Sequence, residues 1–146
     1  VLADVKKRRP DIRIHMAGWD VSDWKVPFDY VNHGAMKLEE LSPLYNRCAA
    51  ALVMSLTNLS LLPLELLSCG TIPVVNDAPN NRLVADNPNI DYVPLSPGAL
   101  AAELIRIVDA DDQVEASRRA AASVESLSWA DSGRRFVADF EEAMHA

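Results

Sequence analysis

The chain has 146 residues, 49% of them apolar and 24% charged, which is the size and balance of one globular domain with an ordinary core. Its 21 acidic side chains outnumber 14 basic ones, and the resulting net charge of −7 argues against unspecific attachment to nucleic acid or to an anionic membrane. No apolar run reaches the roughly 18 residues that a membrane span needs, and two cysteines, Cys48 and Cys69, both in apolar helical surroundings, speak for reduced thiols and a cytoplasmic domain rather than a disulfide scaffold.

The first residues, VLADVKKRRP, read as the interior of a helix, with neither an initiator Met nor a signal pattern, as though cut from a longer chain. Short β-branched or aromatic runs then alternate with longer helical stretches, which is the pattern of βαβ units and a parallel sheet. Strands are predicted over 12–17, 30–33, 50–56, 72–76 and 91–94, with helices over 38–48, 61–69 and 80–86. Past Leu95 the period becomes purely helical. Ser96 and Pro97 open one helix with Leu100, Leu104, Ile105 and Val108 on its inner face, a second is predicted over 112–126, and a third starts at Ser128. In that last helix Asp131 favours the dipole, and Phe136, Val137, Phe140 and Met144 form an apolar stripe.

The stretch from Leu52 to Asn81 carries the chemistry, because a buried strand runs there into a short polar loop and then a helix. Ser60 suits the N-cap, Pro63 the first turn, and Gly70 a left-handed C-cap. Thr57, Asn58 and Ser60 beside the helix start offer hydroxyls, an amide and free N–H groups to a phosphate or to sugar hydroxyls. Glu65 is the one carboxylate in an otherwise apolar helix. Buried, it needs a hydrogen-bond donor such as a pair of ligand hydroxyls; on the solvent face it needs none. Leu61, Leu62, Leu64, Leu66 and Leu67 are predicted to be core.

Other suggestive groups have plainer readings. Lys6 to Arg9 form a solvated helix end, and Asp109 with Asp111 stands at a helix boundary rather than after a core strand, so no metal is expected there. His15, His33 and His145 lack ligand spacing, and the sequon at Asn58 to Ser60 is too short to carry weight. Trp19 and Trp24 are read as core or rim packing, and Cys69 as structural.

The run LPLELLSCGTIPVV resembles the stretch of retaining GT-B glycosyltransferases in which a Glu, seven residues, a second Glu and then a Cys-Gly, Pro-Val-Val run mark the nucleotide-sugar donor site. The resemblance extends along most of the chain, from IRIHMAGW through VNHGAMKLEELSPLYNRCAAALVMS and VVNDAPNNRLV to Ser128 and Trp129. It implies a Rossmann-like α/β fold, the C-terminal, donor-binding half of a two-domain enzyme, and a partner N-terminal acceptor domain. By position Glu65 would bind the ribose hydroxyls and residues Thr57, Asn58, Leu59, Ser60 and Leu61 would approach phosphate and sugar. His33, Gly34 and Met36 would lie at the base. The first Glu of the pattern falls on Thr57, which cannot supply its charge.

Within the family the chain resembles bacterial rhamnosyltransferases that use dTDP-rhamnose. Such enzymes need no metal or other cofactor, act on polysaccharide or lipid-linked acceptors, and can sit at the inner face of the membrane through the other domain. The family's first strand, with its diphosphate-gripping base, has no counterpart here. Since that strand is central in the order 3-2-1-4-5-6, a gap in the sheet is expected. The alternative reading is a non-catalytic nucleotide-binding or assembly module.

Overall fold

The structure is a computed structural model that describes residues 1–145. It opens with helix α1 (Leu2–Arg8), which buries Val5 in the main core. The basic run at its end is locally tied: the Lys6 ammonium donates to the carbonyls of Pro10 and Ile12, and Arg9 pairs with Asp11 and Asp109. Two short parallel strands come next, β1 (His15–Met16) and β2 (Val31–Asn32), with His15 opposite Val31 and Met16 opposite Asn32. They fall short of the predicted 12–17 and 30–33 because each has a partner on one side only, and only the directly paired residues stay in the ladder. The loop between them is knotted by Asp20, whose Oδ1 accepts from the Ser22 amide at 3.0 Å and from Asn32 Nδ2 at 2.7 Å. Trp19 and Trp24 on that loop are 74% and 57% exposed, so neither packs in the core.

Helix α2 (Leu38–Tyr45) is started by Glu40, whose carboxylate accepts from the Lys37 N–H at 2.8 Å. Pro43 within it lacks a backbone donor, and the helix stops well before residue 48, leaving Cys48 in a loop rather than in a helix. Both cysteines are free thiols. Strand β3 (Ala50–Val53), helix α3 (Leu62–Ser68), strand β4 (Ile72–Asn76), helix α4 (Pro79–Val84) and strand β5 (Asp91–Val93) then form two consecutive βαβ units. The three strands are parallel in the order β3-β4-β5, with Ala50 opposite Ile72 and Val74 opposite Asp91.

Three helices complete the chain: α5 (Pro97–Val108), α6 (Gln113–Ala122) and α7 (Trp129–Met144). The predicted caps of α5 and α7 form, since the Ser96 and Ser128 hydroxyls accept from the Ala99 and Asp131 amides. Helix α5 packs across β3, β4 and β5 and against α1, while α3 and α6 pack on each other and on β4. Covered on both faces, β4 has all five of its residues buried. Leu66, Leu67, Val74, Val75, Leu100 and Leu104 lie at the centre of the main core. Ile14, Val21 and Leu44 are buried outside that cluster.

The architecture is therefore α/β with helices on both sides and a helical C-terminus, as the family likeness implies. The sheet is in two pieces: among the described residues no ladder joins β1–β2 to β3–β4–β5. A gap in the sheet is expected from the sequence, and it falls between β2 and β3 in chain order. Helix α7 differs from expectation, because its apolar stripe is left exposed; Phe136, Phe140 and Met144 are 71%, 59% and 70% exposed.

Candidate functional site

The loop from Met54 to Leu61 leaves the carboxyl end of β3, the end at which open parallel sheets bind ligands. Thr57, Asn58 and Ser60 are exposed, whereas Leu59 is buried to 2% and pins the loop to the core. Leu59 therefore presents almost no surface, side chain or backbone, to a ligand. Leu61 is 46% exposed rather than core, and Leu62 and Leu64 are only partly buried.

Anchoring at Leu59 distorts the backbone just beyond it. Ser60 has φ of 57°, a left-handed conformation that costs a residue with a Cβ about 1–2 kcal/mol. Its amide donates to Asn58 Oδ1 at 2.9 Å. The N-cap of α3 is accordingly Leu61 and not Ser60, and no side chain caps it; the Ser60 hydroxyl accepts only a long 3.4 Å bond from the Leu62 amide. Pro63 falls in the first turn, and Gly70 closes the C-terminal end at φ of 74°, both as predicted. Among the described residues the N–H groups of the exposed Asn58 and Leu61 have no protein acceptor, so the loop has donors to offer an anion.

Glu65 is exposed, and no ion pair among the described residues involves it. The demand of a buried acid for a donor therefore does not apply to it. Its carboxylate is instead accessible, close enough to Tyr45 that its charge, after burial, helps push the phenol's pKa up. Tyr45 is a neighbour that no sequence pattern singles out.

The residues read as a base site lie after β2. His33 Nε2 is 2.9 Å from His15 Nδ1, and the rings stack at 5.2 Å between centroids and 19° between planes. Burial, and then the charges of His33, Arg47 and Arg13, hold the His15 pKa below the usual imidazole value. Gly34 turns the chain at φ of 59° and its carbonyl accepts from the Gly18 amide at 2.9 Å, while Met36 is half-buried. No hydrogen bond joins this loop to residues 57–61 among the described residues.

Three asparagines that the sequence alone does not mark out brace the 54–61 loop from behind. Asn76 and Asn81 are buried to 1% and 0%, and their amides close onto Ser55. Asn80 reaches the Thr57 carbonyl. Their only sequence signal is the run VVNDAPNN, where polar residues come directly after a buried strand.

A cavity of about 640 Å3 lies at the other end of the sheet, between Arg47, Gly70, Asp91, Arg106, Gln113 and Ser117. It is remote from the loop after β3 in the fold. No group of three or more His, Cys, Asp or Glu able to hold a metal occurs among the described residues, and Asp109 is engaged by Arg9. No helix among them is long and apolar enough to cross a membrane.

Comparison with known proteins gives the family. Residues 1–105, from α1 into α5, match the family described as WsaF, C-terminal domain, and the chain belongs to it. It is thus a glycosyltransferase C-terminal domain, and α6 and α7 lie beyond the matched part. The chain is also similar to the O-antigen biosynthesis protein RfbC of Myxococcus xanthus, with 32% identity over 108 residues. That alignment takes in 70% of this chain and 8% of the relative.

Proposed function

We propose that this chain is the donor-binding domain of a glycosyltransferase that moves a sugar from a nucleoside diphosphate to a polysaccharide or lipid-linked acceptor. The family match over residues 1–105 carries this reading, because it spans the loop after β3, all of α3 and the loop after β4. The likeness to an O-antigen biosynthesis protein supports a polysaccharide product. In this reading Glu65 accepts from the two ribose hydroxyls, and its exposure leaves it accessible to them. The 57–61 loop faces the diphosphate and sugar with its backbone N–H groups. A departing diphosphate gains negative charge, so oriented N–H donors favour its departure. His33, Gly34 and Met36 border the base, the donor is dTDP-rhamnose, and no metal takes part. The acceptor is held by another domain of the intact protein, which works on the cytoplasmic side and approaches the membrane surface through that domain.

The second reading, a nucleotide-binding or assembly module without catalysis, is favoured by Thr57. At that position the family pattern has a carboxylate, and a hydroxyl gives one neutral hydrogen bond in its place.

Calorimetric titration of the intact protein with dTDP, UDP and GDP tests the site. One nucleotide, dTDP, is expected to bind, and Glu65→Ala is expected to weaken it about 10- to 100-fold, the equivalent of losing a charged hydrogen bond. Unchanged binding would remove Glu65 from the site. Binding without sugar transfer would favour the module, and absence of any nucleotide binding would end the donor reading.

A further inference from the structure

Strand β3 ends at Val53, short of the predicted residue 56, yet its path is continued by side chains. The Ser55 amide donates to Asn76 Oδ1 at 2.8 Å, and Asn76 Nδ2 donates back to the Ser55 carbonyl at 2.8 Å. This reciprocal pair reproduces a step of the ladder with a carboxamide standing in for a peptide group. Asn81 Nδ2 adds a second bond to the Ser55 carbonyl at 3.2 Å and one to the Asn76 carbonyl at 2.8 Å. Asn80 Nδ2 reaches further, to the Thr57 carbonyl at 3.0 Å and to Asn81 Oδ1 at 3.0 Å.

The brace is itself held. Tyr92 of β5 donates its hydroxyl to the Ala85 carbonyl at 2.6 Å and to that of Asn81 at 3.3 Å. Arg82 grips Asp77 through Nε at 2.7 Å and stacks over the Tyr92 ring at 4.5 Å. Helix α4 is thereby fixed to β5 at one side and to the Ser55–Thr57 backbone at the other. Two carboxamides almost wholly buried, with every polar atom satisfied, are costly to displace.

We infer that Asn76, Asn80 and Asn81 are positioning residues that hold the 55–61 loop in the shape that receives the donor. The inference rests on the donor reading. Leu59 anchors the middle of the loop in the core and the asparagines fix its entry, so the exposed Thr57, Asn58 and Ser60 are presented from two fixed points. The strained backbone at Ser60 is then sustained by the anchors on its N-terminal side.

Two readouts on the intact protein test this. Asn80 is only half-buried, so Asn80→Ala and Asn80→Asp remove the donor to Thr57 with little risk to folding. Asn76→Asp keeps the acceptor for the Ser55 amide but sets an oxygen against the Ser55 carbonyl. Hydrogen exchange of segment 55–62 is expected to quicken about fivefold or more in all three, with segment 72–75 unchanged; fivefold corresponds to one ordinary hydrogen bond. Affinity for dTDP is expected to fall by a similar factor in Asn80→Ala, and Asn80→Gln, which keeps a donor, is expected to recover part of it. Unchanged exchange in both Asn80 variants would overturn the inference. So would faster exchange with undiminished dTDP binding in a protein whose binding is lost on Glu65→Ala. If the unaltered protein binds no nucleotide, the donor reading fails, and the exchange data alone then support or overturn the brace.

Discussion

Ser60 and Gly70 stand just outside the two ends of α3, and both have positive φ, yet only one of them is a glycine. At Gly70 two demands coincide. The chain must turn left-handed to leave the helix, and a Cβ there would collide with the Ser117 side chain on α6. Gly70→Ala is expected to cost about 1–3 kcal/mol in urea denaturation, since it combines backbone strain with displacement of a packed helix. That glycine is legible in the sequence because a C-cap is a local event. Ser60 reads as an N-cap but is not one, because Leu59, one residue earlier, is drawn into the core and shifts the helix start by one. Local preference for serine at helix starts does not reveal that tertiary pull.

Among the elements, legibility tracks burial. Strand β4 matches its predicted bounds because it is central and covered on both faces, so its apolar run is uninterrupted. Strands β1 and β2 are only two residues each, since an apolar run records the inclination to pair but not whether a neighbour is there. What binds those two together includes the His15–His33 contact, and it is sensitive to acid. Burial, with the nearby His33, Arg47 and Arg13, lowers the His15 pKa in the folded chain from the ordinary 6.5. As pH falls below that value the unfolded chain takes up the proton while the folded chain resists it. The contribution of His15 to stability is therefore whole above 6.5 and drains away as pH drops toward the folded pKa. The thermal midpoint is expected to decline between about pH 7 and pH 5, before carboxylates titrate. His15→Gln is expected to flatten that part of the profile, and an unaltered slope would contradict the assignment.

For the whole molecule, the fold class and the order of elements are readable because alternation of strand and helix is written in hydrophobic period. The candidate site is readable where a strand runs into a polar loop and a helix and where that run resembles a known family: Glu65 and the 57–61 loop can be found that way, whereas the bracing role of Asn76, Asn80 and Asn81 cannot. Asparagines that bond to backbone carry no spacing rule, and their partners at Ser55 and Thr57 lie more than twenty residues away. The apolar stripe of α7 is real as a pattern and yet is not core, because a period shows that a face seeks cover without showing what supplies it.

The divided sheet also bears on cooperativity. A continuous sheet transmits loss of one strand to the next, so that a small domain melts as a unit; here β3–β4–β5 shares the main core with α1, α3 and α5, while Ile14, Val21 and Leu44 are buried apart from it. Backbone amides are thus expected to fall into two tiers of protection, those at residues 14–33 opening at lower free energy than those of β4, whose exchange reports global unfolding. In such a molecule the segment read as the base site would be able to come loose while the 55–61 loop stayed in place.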